Sequence, residues 1–235
     1  MMLSSVVNGE SDQEKGKILL TLADRVLYPE SATYTVDLTT SYEDNKTLTW
    51  GFEGYKKGML KQTIVMTFPD IQRNDVGIRS GDVIYWKPRQ WPKPQIMSYQ
   101  AVFLESPLSY GDILSVDLNE DYSVKELKKK ESGELTLILA PRKAGLYAKL
   151  EIVIDPETHY TLQRIFYTAS GDILKTTSYS DYKTENGRVV SFTIYLDHKF
   201  MKISGSAKVA NIQIESTPDF IYNPANIGRI HARKK

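Results

Sequence analysis

The chain has 235 residues, 41% hydrophobic and 25% charged, with a formal net charge of +1 at pH 7. That balance gives no support for a nucleic-acid partner, which goes with a basic surplus. Cysteine is absent, which excludes a disulfide framework, a thiol nucleophile and a thiolate metal site.

No stretch approaches the roughly 18 apolar residues of a membrane-spanning helix. The start of the chain, Met1 to Gly9, has no basic segment and too short an apolar run for a signal peptide. Residues 1–10 are expected to be flexible. Ser11 to Leu27 reads as a helix: Ser11 and Glu14 match a capping box, and Ile18, Leu19, Leu22, Ala23 and Val26 recur at helical spacing. Pro29 stops it. Tyr34, Val36, Leu38, Thr40 and Tyr42 then alternate with polar residues, as in a half-buried strand. Leu48, Trp50 and Phe52 line one face of the next strand, and Ile64, Met66 and Phe68 one face of the strand after it. A hairpin tip at Gly77–Asp82 leads into Val83–Trp86.

Lys87 to Pro94 holds three prolines in eight residues and reads as a stiff loop carrying Trp91, either a plain rim loop or a polyproline-type partner site. Ser106 to Leu118 is expected to be a short helix with Leu108, Ile113, Leu114 and Leu118 inward. Asp121 to Gly133, centred on Lys128–Lys130, reads as a solvated turn or helix, with a membrane- or phosphate-contacting patch as the alternative. From Leu135 to Ile214 the pattern is a run of strands on short turns. Its clearest member is Gly145–Asp155, where Leu146, Ala148, Leu150, Ile152 and Ile154 share a face. Asn186-Gly187 carries a hairpin signal, followed by Val190, Phe192, Ile194, Leu196 and His198 on one face. Turns this short force antiparallel pairing. His231 to Lys235 reads as a disordered basic tail.

Chemistry-bearing motifs are missing. The three histidines, His159, His198 and His231, have no metal-ligand spacing, and no phosphate loop, dinucleotide fingerprint or nucleophile elbow appears. The chain is therefore read as neither an enzyme nor a metal or cofactor protein. What remains is the apolar face of the sheet, rich in Trp50, Phe52, Met66, Phe68, Trp86, Met97, Phe103 and Phe192. Such a face serves either a packed core or a ligand cavity.

Several weak motifs resemble one family. The run Gly58 to Asp70, ending in Phe68-Pro69-Asp70, is similar to the proline-ended strand of bacterial outer-membrane lipoprotein-sorting proteins, a group akin to the LolA and LolB carriers. Gly77-Ile78-Arg79 and Val83 to Pro88 sit where that family has a glycine turn and an aromatic strand. Phe103 with Leu108 to Ile113 resembles its helix start. Asp155-Pro156, Gly171-Asp172, Asn186-Gly187-Arg188, Pro218-Asp219-Phe220 and Asn223-Pro224 follow its C-terminal half. The likeness spans residues 15–228.

The resemblance implies a single half-barrel domain over residues 11–228, with residues 229–235 as a basic tail. The expected fold is mainly β (α+β), an unclosed, strongly curved antiparallel barrel of about eleven strands with helices on the concave side. It implies a non-catalytic, cofactor-free carrier that holds acyl chains of lipoproteins or lipids in an apolar cavity lined by Trp50, Phe52, Ile64, Met66, Phe68, Trp86, Met97, Phe103 and Phe192. Its place would be the periplasm or the outer membrane, with a signal segment absent from this sequence and a membrane protein as donor or acceptor. Family carriers use an arginine in the cavity to hold a lid. Arg73, Arg79 and Arg89 qualify by type only, and each reads as a surface residue. The alternative function is a structural or partner-binding envelope domain with a filled core.

Overall fold

The computed structural model describes residues 12–27, 31–114, 117–144, 146–185 and 188–233, with side chains for all of these but 25–27, 185 and 188–192. Helix α1 (Asp12–Leu27) precedes a first meander of β1 (Ser31–Tyr42), β2 (Thr47–Lys57), β3 (Lys61–Phe68), β4 (Val76–Ser80), β5 (Val83–Lys87) and β6 (Gln95–Met97). Two helical turns, α2 (Tyr110–Ile113) and α3 (Leu118–Asp121), lead into β7 (Tyr122–Lys129), β8 (Leu135–Pro141), β9 (Lys149–Ile154) and β10 (Thr161–Tyr167). The second meander ends with β11 (Ile173–Glu185), β12 (Arg188–His198) and β13 (Ile203–Gln213). Among the described residues, all thirteen strands form one sheet, ordered β6-β5-β4-β3-β2-β1-β13-β12-β11-β10-β9-β8-β7. Antiparallel pairing of β1 with β13 joins the two meanders. The sheet is curled and does not close.

Two strands beyond the expected eleven account for the difference. β6 is three residues long behind Pro94. In β7, Val124 pairs with Leu139 and Glu126 with Ile138, so Lys125 is an extra residue. That bulge puts Tyr122, Val124 and Leu127 against the same cluster. A spacing of two and then three no longer reads as a strand, and the expected turn or helix is an edge strand.

One face of the sheet carries two apolar clusters. The first packs Leu19, Leu20 and Ala23 of α1 on Val124, Leu137, Leu150, Ile152 and Phe166. Ile18, placed on the buried side from its spacing, is instead exposed, and Leu20 takes that role. Gly16 lets the helix sit close, because a Cβ there would lie 2.8 Å from Val124. The second packs Val36, Leu38, Trp50, Phe52, Ile64, Met66, Trp86 and Phe103. The opposite face holds Tyr55, Val65, Val76 and Ile78, covered by Tyr222 and Ile227 of two 3-10 segments, Asp219–Tyr222 and Pro224–Arg229, and by Ile230, which follows the second. Helical segments thus lie on both faces, not only on the concave one. Residues 231–233, expected to belong to a disordered tail, are anchored: the Arg233 backbone donates to Glu53 at 3.0 Å and the Ala232 amide to Asn74 at 2.9 Å.

The expected helix Ser106–Leu118 is two separate turns. Ser109 caps α2 through a capping box with Asp112, and the Asp117 carboxylate accepts the Asn119 and Glu120 amides to start α3. Leu108, Leu114 and Leu118 are buried as expected. The Ser11 cap, residues 1–10 and the Asn186-Gly187 turn lie outside the described residues.

Tyr34 shows how sequence sets local packing. It faces Gly54 across the β1–β2 pair, and a Cβ at Gly54 would lie 2.2 Å from the Tyr34 ring. The glycine makes room for the ring to lie across the strand. Gly54→Val is expected to lower stability by about 1–3 kcal/mol, the range for overpacking, read as a drop in thermal midpoint. Tyr34→Ala in the same chain should recover most of the loss; no recovery would show that the strain lies elsewhere.

Candidate functional site

A cavity of about 160 Å³ opens between the two inner clusters. Its apolar wall comes from both meanders: Val36 and Phe52 on β1 and β2, Leu150 and Phe166 on β9 and β10, Leu196 and Val209 on β12 and β13. A bulge completes it. Thr33 pairs with Gln213 and Thr35 with Ala210, so β13 carries an extra residue near Asn211, whose φ is +54°. The shift in alternation brings Ile212 to the same wall as Ala207 and Val209. The volume resembles that of an engineered apolar cavity of about 150 Å³ that admits benzene, so as it stands it has room for an apolar group of about that size.

The nine residues expected to line a cavity divide sharply. Of those whose side chains are described, only Phe52 lines it. Trp50, Ile64, Met66, Trp86 and Phe103 are buried beside it as solid core. Edge-to-face stacking of Trp86 on Phe103 at 5.7 Å and of Phe103 on Tyr110 at 5.2 Å fills that space. Met97 is half-buried against the same cluster. Phe68 is 50% exposed, and the register explains it. Gly51 pairs with Phe68 but Phe52 with Met66, so Thr67 is a bulge residue and Phe68 leaves the face of Ile64 and Met66. The Phe192 side chain lies outside the described residues.

Sequence reasoning passed over the charged groups in the wall. Lys56 and Arg164 both line the cavity, and both are buried. Arg164 on β10 meets Asp24 of α1 at 3.5 Å. Burial pushes the Asp24 carboxyl up to about 6, against the opposing pull of Arg164 and Lys56. Burial likewise lowers Lys56 to about 7, against Asp24 and Asp117. The available signal was alternation: Lys56 continues the inward series Trp50, Phe52, Gly54, where solvent-facing charge is not expected.

A second polar cluster sits at the α2 end. Lys175 of β11 is bonded to Asp112 and meets the Tyr147 hydroxyl at 2.6 Å, and Ser109 Oγ lies 3.0 Å from that hydroxyl. Burial lowers Lys175 while Asp112 opposes it, and burial raises Tyr147. Ser109 also accepts the Asp112 amide. These bonds pin α2 to Tyr147, just ahead of β9, and to β11, and leave the serine serving as a helix cap. Among the described residues, no group of three or more His, Asp or Glu side chains could hold a metal ion.

Of the candidate lid arginines, Arg73 is exposed and bound to Asp70 at 3.0 Å, and Arg89 is exposed. Arg79 is 0% exposed, which corrects its reading as a surface residue. It lies 4.0 Å from Asp121, which also takes Lys143 at 2.6 Å. The arginine that joins a helix to the cavity wall is Arg164.

A family model described as "Uncharacterized protein" matches residues 93–229, more than half of the chain. The fold matches a LolA superfamily protein from Nitrosomonas europaea with a TM-score of 0.80 at 18% identity, over 91% of this chain and 98% of that one. The chain belongs to the family of the model that matches residues 93–229, and its fold is LolA-like. A DUF1329 family protein from Desulfovibrio piger aligns with a TM-score of 0.78 at 16% identity, over 93% of the LolA-like chain and all (100%) of its own. An outer membrane lipoprotein-sorting protein domain from Vibrio parahaemolyticus gives 0.76 at 15%, covering 92% and 100%. No curated protein matches the sequence.

The cost of the buried ammonium is testable. Unfolded, Lys56 titrates near its ordinary 10.5; folded, near 7. The folded state therefore carries a penalty that is full below about pH 7 and fades as pH rises toward about 10.5. Lys56→Met should raise the thermal midpoint by about 2–4 °C, the equivalent of about 1 kcal/mol in a chain of this size. The gain should be larger near neutral pH than in alkaline buffer. The opposite order would mean that the ammonium stabilises the fold.

Proposed function

We propose that the chain is a non-catalytic carrier that takes acyl chains of lipoproteins or lipids into the cavity of the half-barrel and moves them through the periplasm toward the outer membrane. The observation that carries this reading is an apolar-walled cavity held between two already well-packed clusters. A chain of this size has enough apolar side chains to fill such a space, and here large aromatics pack solidly next to it while the space itself stays open. Each acyl methylene removed from water contributes about 0.8 kcal/mol, so a shielded apolar wall makes aqueous transport of a lipidated cargo feasible. The LolA-like fold, with its likeness to a lipoprotein-sorting protein domain, supports the reading. The carrier needs no cofactor or nucleic acid and would exchange cargo with a membrane-protein donor or acceptor.

Loading a whole acyl chain requires the cavity to widen. Helix α1 is the element proposed to move. It is held by the Arg164–Asp24 pair, by Thr21 donating to Asn119 at 2.9 Å and by Gln13 donating to the Val124 carbonyl at 3.1 Å. A handful of polar ties over an apolar face makes a lid that can lift without unfolding the sheet.

The second reading, an envelope domain with a filled core, is favoured by the packing of Trp50, Ile64, Met66, Trp86 and Phe103. Titration with a fluorescent fatty-acid or lipopeptide probe separates the two. Saturable binding in the micromolar range is expected, and its absence overturns the carrier reading. Val209→Phe should project a ring into the cavity, keep the fold and weaken binding by about tenfold or more, equal to about 1.4 kcal/mol. A stable variant that binds like the parent would show that the probe sits elsewhere.

A further inference from the structure

We infer that Tyr34 recognises the carbonyl of an acyl ligand: its hydroxyl donates to the carbonyl oxygen while the apolar wall takes the chain, so the cavity prefers uncharged esters, amides and ketones to hydrocarbons. The inference rests on the acyl-binding reading above and narrows its ligand class.

Most polar side chains of the cavity wall are already engaged. Asp112 holds Lys175 and lies within hydrogen-bonding distance of Ser109 and Tyr147. Arg164 pairs with Asp24, and Lys56 lies in the field of Asp24 and Asp117. Thr177 donates to the Tyr179 hydroxyl at 3.3 Å, and the Tyr122 hydroxyl accepts the Tyr147 amide at 3.1 Å. Tyr34 also lines the cavity, and its hydroxyl has no hydrogen-bond partner among the described residues. The residue keeps part of its surface accessible. Gly54 sets the position of this hydroxyl. A Cβ there would lie 2.2 Å from the Tyr34 ring and 2.7 Å from its oxygen, so the phenol lies over the glycine. Gly54 stands between Phe52 and Lys56 on one face of β2, and both of those line the cavity. The oxygen is therefore held between two residues of the wall.

A tyrosine hydroxyl both donates and accepts, and one drawn out of water usually has a partner. Burial pushes the Tyr34 hydroxyl up to about 12, so it stays protonated and able to donate at neutral pH. A carbonyl oxygen supplies an acceptor without bringing a charge into an apolar wall, where an unpaired charge is costly. An acyl group carries that oxygen at the head of its chain, and the chain then runs along Phe52, Val36, Leu196 and Val209. A hydrocarbon gains the apolar contacts alone and leaves the hydroxyl unpartnered. Tyr34→Phe keeps the ring over Gly54 and removes only the donor.

The test is displacement of a bound uncharged fluorescent probe by methyl octanoate and by nonane, in the parent and in Tyr34→Phe. The ester should lose about three- to tenfold in affinity in the variant, the size expected of one neutral hydrogen bond, while nonane should lose none. Infrared spectra of methyl octanoate, isotopically labelled at its carbonyl carbon, give a second readout. In the parent the carbonyl stretch of the bound ester should lie below its value in dry hydrocarbon solvent, and in Tyr34→Phe it should return toward that value. A packing role for the ring would lower both affinities together and leave the band in place. Equal losses for ester and nonane, or a band at the free position in the parent, overturn the inference and leave the acyl-binding reading intact. Failure of the ester to displace the probe from the parent overturns both. If Tyr34→Phe fails to fold, the band of the parent still decides.

Discussion

Everything in this molecule follows from a sheet whose two edges never pair. β6 and β7 end the strand order, and curling brings their regions near each other without closing a hydrogen-bonded ladder. The connection between them does the closing. Gln100 donates to the Leu146 carbonyl at 2.7 Å, and Asp121 sits between Lys143 and Arg79 while Lys143 also reaches Asp82 at 2.7 Å. These links tie the β4–β5 hairpin to the β8–β9 side across the opening. Both free edges are also poor templates for another strand: β6 is short and follows Pro94, and β7 is bulged and lysine-rich. A closed barrel would need none of this and would have no side from which helices could cover the interior.

That open side explains where charge is tolerated. Three ion pairs, Asp24–Arg164, Asp112–Lys175 and Asp121–Arg79, are largely removed from water, and in each one partner belongs to a helical turn and the other to a strand. A buried ion pair is weak evidence for stability and better understood as a device of register, since a helix that slides leaves an unpaired charge behind. The helices are thereby fixed in position over a face that apolar packing alone would leave slippery. Lys56 shares the Asp24–Arg164 site, where Asp24 and Asp117 both oppose the lowering of its pKa by burial.

Strands with unbroken alternation were legible. β1, β9 and the end of β12 have buried faces as the period of two requires: Val36 and Leu38, Leu150 and Ile152, and Leu196 with His198. Bulges hid the rest. The extra residue at Thr67 turned Phe68 outward, the one at Lys125 disguised β7 as charged loop, and the one near Asn211 brought Ile212 to the cavity wall. The site itself was almost illegible. Trp50 and Phe52 are alike by type and parity, yet one is core and the other wall, because the difference depends on what lies across the sheet. Asp24, Lys56 and Arg164 meet only after three separate elements have packed. The family resemblance pointed to the right fold, but none of the three arginines weighed with it, Arg73, Arg79 and Arg89, is among the residues that line the cavity.

The pairing of β1 with β13 has a consequence for synthesis. Among the described strands of this sheet β1 is made first and β13 last, and they lie side by side in the middle of the strand order. While the chain grows from Tyr42 to Ile203, β1 offers an open hydrogen-bonding edge with its apolar residues beside it. Long-range pairing of this kind forms slowly and exposes sticky intermediates. A nascent chain of this fold is therefore most vulnerable to aggregation during the interval before its last strand arrives, and a truncation anywhere within β13 removes the seam on which both halves depend.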